Sequence, residues 1–153
     1  MHTDRRAAYS QAAPVTPLLI EGYASLYGRP DQVRDLIEPG AFARSLAWRA
    51  QPDMLLQHQT GSVIGRWREV KEVGTGLYVR GLVEDRTALN LIQNGLDGLS
   101  IGFYPLLWHR EASGGRTLKE VALVEISLVS APMHPDARFK PMTPIRPRRA
   151  HIM

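Results

Sequence analysis

The alternation of hydrophobic and polar residues predicts a chain built mainly of β-strands. In residues 18–28, LLIEGYASLYG, apolar or small side chains alternate with Glu, Ser and Tyr, which is the pattern of a strand with one buried face. Residues 117–132, TLKEVALVEISLVSAP, are the most β-prone stretch of the chain. Between these two segments, further strands are predicted for residues 53–58, 62–70, 76–84 and 99–108.

Two short helices are predicted where the spacing of apolar residues changes. In residues 38–49, a Pro-Gly pair precedes apolar side chains four positions apart. In residues 85–95, Asp85 fits the start of a helix and Asn94 its end. Together these elements predict an α+β, mainly β fold, a small partly closed antiparallel β-barrel of about six to seven strands flanked by a few short helices.

The length of 153 residues fits one domain. Because the regular pattern starts near Leu18 and fades after Pro132, we expect a folded domain over residues 18–137. It would lie between an irregular N-terminal segment, residues 1–17, and a tail rich in Pro and Arg, residues 138–153.

The amino-acid composition argues against several classes of protein. No apolar run approaches the roughly 18 residues of a membrane span, so no membrane association is expected. The N-terminus carries two arginines but no apolar stretch that could serve as a signal-peptide core, so we expect the protein to stay in the cytoplasm. With no cysteine, the chain has neither disulfides nor thiolate metal ligands, and any nucleophile must be another residue type.

The net charge of +4 is unevenly distributed. Residues 1–6 and 138–153 together hold seven basic side chains and one acidic one, whereas residues 7–137 hold 12 basic and 14 acidic ones. The predicted domain therefore has no basic excess with which to follow a phosphate backbone, and nucleic-acid binding is not expected of it. We interpret residues 138–153 as a solvated tail, with a nucleic-acid arm as the alternative.

Ser100 lies in the motif GLSIG, which matches the G-x-S-x-G pattern of many hydrolases. In those enzymes a helix follows the serine, but here Ile101, Gly102 and Phe103 favour extended structure, so an α/β-hydrolase is not expected. Strand alternation places Ser100 on the side opposite Leu99. The local pattern leaves two interpretations open, a nucleophile or a small polar residue at the start of a strand.

A nucleophilic serine needs a base and a group that orients the base. His58 is predicted to end an apolar strand on the same face as Met54 and Leu56. Glu125 lies between Val124 and Ile126, and because a buried carboxylate without a partner is costly, it should be paired. A protonated histidine would suit it. The alternatives are a structural histidine and a strand glutamate paired with an arginine.

The order of these three residues along the chain resembles that of a known protein family. His58, Ser100 and Glu125 occur in the blocks LLQHQTGSVIG, LDGLSIGFYP and LVEISLVSAPMHPDA, and this arrangement resembles the prohead proteases of tailed bacteriophages, which are capsid-maturation serine peptidases. The blocks IEGYASLYGRPD, DLIEPGAFARSL and GLYVRG add to the likeness. It extends from about residue 20 to residue 137.

The resemblance implies a fold similar to that of the herpesvirus assembly proteases. It also implies a serine endopeptidase that works through an acyl-enzyme, with Ser100 as nucleophile, His58 as general base and Glu125 orienting His58. In the viral relatives a second histidine stands at the place that looks equivalent to Glu125, so His134 is the alternative for the third role. Neither a cofactor nor a metal is implied.

The resemblance further implies partners and a location. The expected substrates are the scaffold, the N-terminal region of the major capsid protein and the protease itself. Cleavage would take place during assembly of the prohead with its portal, inside the immature capsid in the cytoplasm of the bacterial host. A homodimer is compatible with this picture.

Three other classes of function are alternatives to a serine peptidase. A catalytically inactive capsid-assembly or scaffold-like protein would keep the fold without the activity. A metal-dependent hydrolase could use His58, Glu125, His134 and a nearby Asp, although no H-E-x-x-H or similar spacing of ligands is present. A nucleic-acid-binding module is disfavoured by the acidic middle of the chain.

Overall fold

The computed structural model describes residues 14–48 and 51–142. Most of the predicted N-terminal segment, and the tail from residue 143 with Arg146, Arg148 and Arg149, lie outside the described residues. None of the helices in the two described ranges is long and apolar enough to cross a membrane. The elements follow in chain order: β1 (Leu18–Leu26), β2 (Asp35–Ile37), α1 (Ala43–Trp48), β3 (Asp53–Leu56), β4 (Val63–Val73), β5 (Gly76–Val83), α2 (Arg86–Gln93), β6 (Gly98–Arg110), β7 (Arg116–Val129) and β8 (Phe139–Pro141).

The eight strands form one sheet in which β7 has the most neighbours. It pairs along its whole length with β6 on one edge, and on the other edge it pairs first with β2 and then with β3. From β3 the sheet continues through β4, β5 and β1 to β8. Strand β7 therefore brings residues from three distant parts of the chain together.

The sheet curls until its two ends meet. The backbone N–H of Leu99, on β6, donates to the carbonyl of Ala137 at 2.8 Å, and the N–H of Phe139, on β8, donates to the carbonyl of Asp97 at 2.8 Å. These bonds join the start of β6 to the strand that flanks β1. The predicted mainly β fold with a partly closed barrel and short flanking helices is confirmed.

Two details of the prediction differ from the structure. Within residues 14–48 and 51–142 there are eight strands rather than six or seven, because two three-residue strands, β2 and β8, are too short to show a period in sequence. The pairings of β7 with β2 and with β3 are parallel, whereas the other pairings are antiparallel. Hydrophobic alternation is the same in parallel and antiparallel strands that bury one face, so it could not reveal the direction.

The core fills the concave side of the curled sheet. Strand β5 shows the expected alternation, since Leu77, Val79 and Val83 are fully buried. Burial of each such aliphatic side chain contributes roughly 1.5–3 kcal/mol. Gly81 interrupts the pattern for a steric reason, because a Cβ there would lie 2.6 Å from both Met54 Cε and Trp67 Cε3.

Both predicted helices form, with shorter bounds. Helix α2 starts after Asp85, whose carboxylate accepts the backbone N–H of Ala88 at 2.9 Å, and ends at the predicted Asn94 cap. Helix α1 begins only at Ala43, because Gly40 takes a φ of 91° in the turn before it.

Two predicted boundaries differ from the strand ends in the structure. Strand β3 ends at Leu56, and His58 does not share a face with Met54 and Leu56, because the backbone turns sharply after Leu56. At the other end, Phe139–Pro141 pairs with β1, so the sheet extends beyond the predicted domain boundary at residue 137.

Two of the basic residues assigned to the tail contact the sheet domain. Arg138 lies 2.6 Å from Asp97, and Lys140 lies 3.9 Å from Glu21. Their charges are therefore partly balanced by carboxylates of the domain.

The short parallel pairing of β2 with β7 is held by an ion pair. Arg116 donates from Nε to Asp35 Oδ1 at 2.9 Å and from Nη2 to Asp35 Oδ2 at 2.6 Å. These bonds raise the pKa of Arg116 above its usual value. The Asp35 side chain is only 4% exposed, so it has little access to water as a substitute partner.

We therefore expect Arg116→Ala to lower the free energy of unfolding by about 2 kcal/mol, since it leaves a buried carboxylate without its partner. Urea denaturation measures this change. The matched control is Arg110→Ala, an exposed arginine opposite Arg116 on β6, which should change stability by less than about 0.5 kcal/mol. Equal effects of the two substitutions would contradict the expectation.

Candidate active site

His58 lies in a strained turn between β3 and β4. Gln57 and His58 have φ values of 52° and 59°, which L-residues other than Asn, Asp and His seldom adopt. Such strain costs about 1–3 kcal/mol per residue and persists only where surrounding contacts enforce it. Here the N–H of Gln57 donates to the carbonyl of Leu128 at 2.9 Å, and the N–H of His58 donates to Ser127 Oγ at 3.2 Å. The turn is thus fastened to the end of β7.

The Gln57 side chain adds to this anchorage. Its amide nitrogen donates to Ser130 Oγ at 3.1 Å, and its amide oxygen accepts the backbone N–H of Ser130 at 3.2 Å. The Gln57 side chain is thus directed toward Ser130, just beyond the end of β7, whereas the His58 side chain is directed toward Glu125, within β7.

Glu125 is the buried acid of β7, only 8% exposed. His58 Nδ1–H donates to its Oε1, and the hydroxyl of Ser127 donates to its Oε2 at 2.5 Å. Both carboxylate oxygens therefore have a donor, which compensates for the burial of this side chain. Because Nδ1 faces Glu125, Nε2 is the ring nitrogen that remains available for another group.

Ser100 lies on β6, directly opposite Ser127 of β7 in the strand register. Two positions further on, Gly102 lies opposite Glu125. Side chains of opposed residues project to the same face of a sheet, with Cβ atoms about 4.5–5.5 Å apart. Ser100 therefore projects on the face that carries Ser127 and Glu125.

Ser100 and His58 line the same cleft, which has a volume of about 270 Å³. Its walls come from β1, β2, the start of β6, and residues 29–33 and 133–134. In the part of the chain that the structure describes, the side-chain hydrogen bonds of the site join His58, Glu125 and Ser127. Ser100 lines the same cleft as His58, and the two side chains are not hydrogen-bonded to each other.

A second, more open groove of about 280 Å³ lies beside the same histidine. It is lined by His58, Glu125, Gly102 and Tyr104, with Gly61 at the turn before β4. His58 borders both openings, so space is available on two sides of it.

The far wall of the first cleft is polar. Burial raises the pKa of Asp31 above its ordinary value, although the backbone N–H groups of Asp35 and Val33 lower it in part. Asp35 is neutralised by Arg116, and Arg29 lies 2.5 Å from Asp136. Asp31 Oδ1 accepts the backbone N–H groups of Val33 and Asp35, and the nearby His134 also lowers the pKa of this carboxyl in part.

His134 also lines the first cleft, but its contacts differ from those of Glu125. Its Nε2–H donates to the carbonyl of Arg29 at 2.6 Å. Within residues 14–48 and 51–142, Glu125 is thus the side chain that receives the His58 ring proton, and His134 holds the loop around Arg29. Those same ranges contain no group of three or more His, Asp or Glu side chains arranged to hold a metal ion.

His58 thus borders the cleft that Ser100 lines and is hydrogen-bonded to Glu125. A hydroxyl, an imidazole and a buried carboxylate are the residue types that serine peptidases combine. This chain belongs to the caudovirus prohead serine protease family, whose sequence model matches residues 7–147. The family resemblance noted in the sequence is thereby confirmed.

Known relatives agree with this assignment. The prohead protease of Enterobacteria phage HK97 is 33% identical over 139 residues, which cover 81% of this chain and 60% of that protein, so the chain spans about three fifths of its relative's length. Among solved structures, the KSHV protease in complex with a hexapeptide phosphonate inhibitor matches 84% of this chain and 66% of its own, with a TM-score of 0.61 at 13% identity.

The bacteriophage T4 capsid assembly protease, gp21, matches 78% of this chain and 90% of its own, with a TM-score of 0.58 at 14% identity. At such low identities these likenesses concern the fold alone. They confirm the expected similarity to the herpesvirus assembly proteases.

Sequence reasoning missed two features of the site, namely the residue Ser127 and the role of Gly102 beside Glu125. The signal for Ser127 was present, because residues i and i+2 of a strand share a face and Ser127 follows Glu125 by two positions. No local signal was available for Gly102, because its importance comes from the neighbouring strand. A Cβ at Gly102 would lie 2.4 Å from Glu125 Oε1 and 2.9 Å from Glu125 Cδ.

Gly102→Ala should therefore displace the Glu125 carboxylate from His58 while leaving the fold intact, since the obstructed atoms belong to the end of a flexible side chain. On the expectation from the sequence that Ser100 is a nucleophile with His58 as its base, the rate at which a fluorophosphonate modifies Ser100 should fall about 100-fold, as when a group near the reaction is misplaced by an ångström. Thermal unfolding checks that the protein is folded.

The matched control is Gly74→Ala in the turn between β4 and β5, where a Cβ meets no atom within 4 Å. This variant should react like the wild type. Equal reactivity of Gly102→Ala and Gly74→Ala would contradict the role given to Gly102.

Proposed function

We propose that this protein is a serine endopeptidase of phage capsid maturation, with Ser100 as nucleophile, His58 as general base and Glu125 as the group that orients His58. The observation that carries the proposal is the hydrogen-bonded pair of His58 and Glu125, which borders the cleft that Ser100 lines. The strained turn at His58 supports it, because backbone strain of this kind concentrates at functional sites.

In the proposed reaction, His58 Nε2 accepts the Ser100 proton as Oγ attacks the carbonyl carbon of the scissile peptide. General-base assistance of this kind contributes about 10²–10⁴-fold to the rate. The Glu125 carboxylate holds the proton on Nδ1, so that Nε2 is free to act as the base, and stabilises the imidazolium that forms.

The tetrahedral intermediate then collapses in the forward direction. The C–N bond breaks, His58 gives its proton to the departing amine, and an ester links Ser100 to the acyl part of the substrate. His58 next removes a proton from a water molecule, which attacks the ester, and the return of that proton to Oγ releases the carboxylic acid.

The two openings beside His58 suit an enzyme that cleaves its substrate within the chain rather than at the end of the chain. An endopeptidase must accommodate substrate residues on both sides of the scissile bond. The cleft that Ser100 lines and the groove beside Glu125 give about 270 and 280 Å³ on the two sides of the histidine.

The proposed substrates follow from the relatives, which are a prohead protease and a capsid assembly protease. They are the scaffold and the N-terminal region of the major capsid protein, with the protease itself as a further substrate. The reaction would take place inside the portal-bearing prohead in the bacterial cytoplasm. Confinement in a shell raises local concentration, which would favour cleavage, and homodimerisation, only after assembly.

The first test needs no known substrate. Intact-mass measurement after exposure to a fluorophosphonate should show one adduct on the wild type and none on Ser100→Ala. His58→Ala should also remain unmodified, because the hydroxyl then has no base. Ser130→Ala, which removes another hydroxyl near the turn, is the control and should react.

An adduct that persists in Ser100→Ala would place the reactive serine elsewhere. If the folded wild type gives no adduct, the reaction is repeated at high concentration beside the major capsid protein of the same phage. Absence of both labelling and capsid-protein cleavage under those conditions would favour an inactive capsid-assembly or scaffold-like protein.

The role of Glu125 is tested by an isosteric change. Glu125→Gln keeps the shape, but its amide can donate to Nδ1 and so favour the wrong tautomer of His58. We expect fluorophosphonate labelling to slow by roughly 10³–10⁴-fold, as in other triads in which the acid becomes an amide. Glu120→Gln, on the same strand but paired with exposed Arg44, should react like the wild type. Labelling of Glu125→Gln at the wild-type rate would remove Glu125 from the mechanism.

A further inference from the structure

Ser127 is a fully buried polar residue that contacts both partners of the His58–Glu125 pair. Its exposed fraction is 0%, and its single hydroxyl forms two hydrogen bonds. It donates to Glu125 Oε2 at 2.5 Å and accepts the backbone N–H of His58 at 3.2 Å. No other described residue is hydrogen-bonded both to the carboxylate and to the backbone of the histidine.

We infer that Ser127 is a positioning residue that fixes the Glu125 carboxylate and the His58 turn relative to each other. The inference rests on the proposed function, since it concerns the same site. Ser127 would touch no reacting atom, and its effect on Ser100 would pass through His58.

The direction of both hydrogen bonds is determined by chemistry. A hydroxyl has one proton, and an ionised carboxylate can only accept, so the Ser127 proton is committed to Glu125. The lone pairs of Oγ are then available to the N–H of His58. A side chain without a donor would leave Oε2 unpartnered in a buried site, and the carboxylate could rotate, because the terminal torsion of Glu has a broad energy well.

The backbone contact acts on the other partner. His58 has a φ of 59°, and its N–H is directed at β7, where Ser127 Oγ receives it. Loss of this acceptor removes one of the contacts that enforce the strained turn. Ser127 therefore fixes both the orientation of the Glu125 carboxylate and the position of the His58 backbone that carries the imidazole ring.

Ser130 provides a control within the same turn. It bonds to Gln57 through its hydroxyl and its backbone, so it anchors the turn to β7. Among the described residues, these hydrogen bonds of Ser130 reach neither Glu125 nor His58. A variant of Ser130 thus weakens the anchorage of the turn without altering the partners of the carboxylate.

Two measurements on Ser127→Ala and Ser130→Ala test the inference. The first is the rate constant for modification of Ser100 by a fluorophosphonate. The second is the nitrogen NMR spectrum of the His58 ring, recorded in a Ser100→Ala background, which reports the ring nitrogen that carries the proton and does not depend on activity.

For Ser127→Ala we expect roughly 10- to 100-fold slower modification, which corresponds to the loss of a hydrogen bond to a charged group. We also expect the His58 ring to change from a single tautomer, with the proton on Nδ1, to a mixture. Ser130→Ala should keep the single tautomer and react within about threefold of the wild type. If Ser127→Ala does not fold, Ser127→Cys, with a similar volume and a much weaker donor, replaces it.

An unchanged tautomer in the Ser127 variant would overturn the inference, as would the same tautomer mixture in Ser130→Ala, because either result reduces Ser127 to a general anchor of the turn. The proposed function fails separately. If the wild type gives neither an adduct nor cleavage of the capsid protein at high concentration, the proposed activity is lost, while the NMR comparison still decides whether Ser127 fixes the tautomer of His58.

Discussion

The buried carboxylate of Glu125 is the group around which the site is built. An ionised carboxylate away from water needs a donor at each oxygen, and here the donors are the His58 ring and the Ser127 hydroxyl. To meet this requirement, the turn after β3 must bring His58 over β7, which places two consecutive residues in the left-handed region. The hydrogen bonds that compensate for the burial of the acid thus also help to hold the turn in its strained conformation.

Strand β7 makes this arrangement possible because it has neighbours on both edges. The parallel pairing with β3 delivers His58 just beyond the end of that strand, and the antiparallel pairing with β6 sets Ser100 opposite Ser127. Gly102 then leaves space for the Glu125 side chain on the face shared by the two strands. The His58 turn and the start of β6, which are dozens of residues apart in sequence, thus lie beside Glu125 and Ser127 because β3 and β6 both pair with β7.

Much of this fold was predictable because strands that bury one face repeat every two residues. The strands in β1, β4, β5, β6 and β7 were located within a few residues, and so was the helix capped by Asp85. The failures have physical causes. A three-residue strand such as β8 shows no period, and a left-handed turn at Gln57 and His58 depends on acceptors contributed by β7, which lies some 70 positions away.

The sequence by itself determined the kinds of side chain available for chemistry: a serine in a glycine-rich strand, a histidine after an apolar one, and a glutamate in a hydrophobic strand that required a partner. Whether Glu125 or His134 would be hydrogen-bonded to His58 was decided only by the tertiary structure, as was the placement of Ser127 and Gly102 beside Glu125. The physical reason is that hydrogen bonds and steric exclusion act over a few ångströms, whereas the register between distant strands, which sets those distances, follows from the packing of the whole sheet.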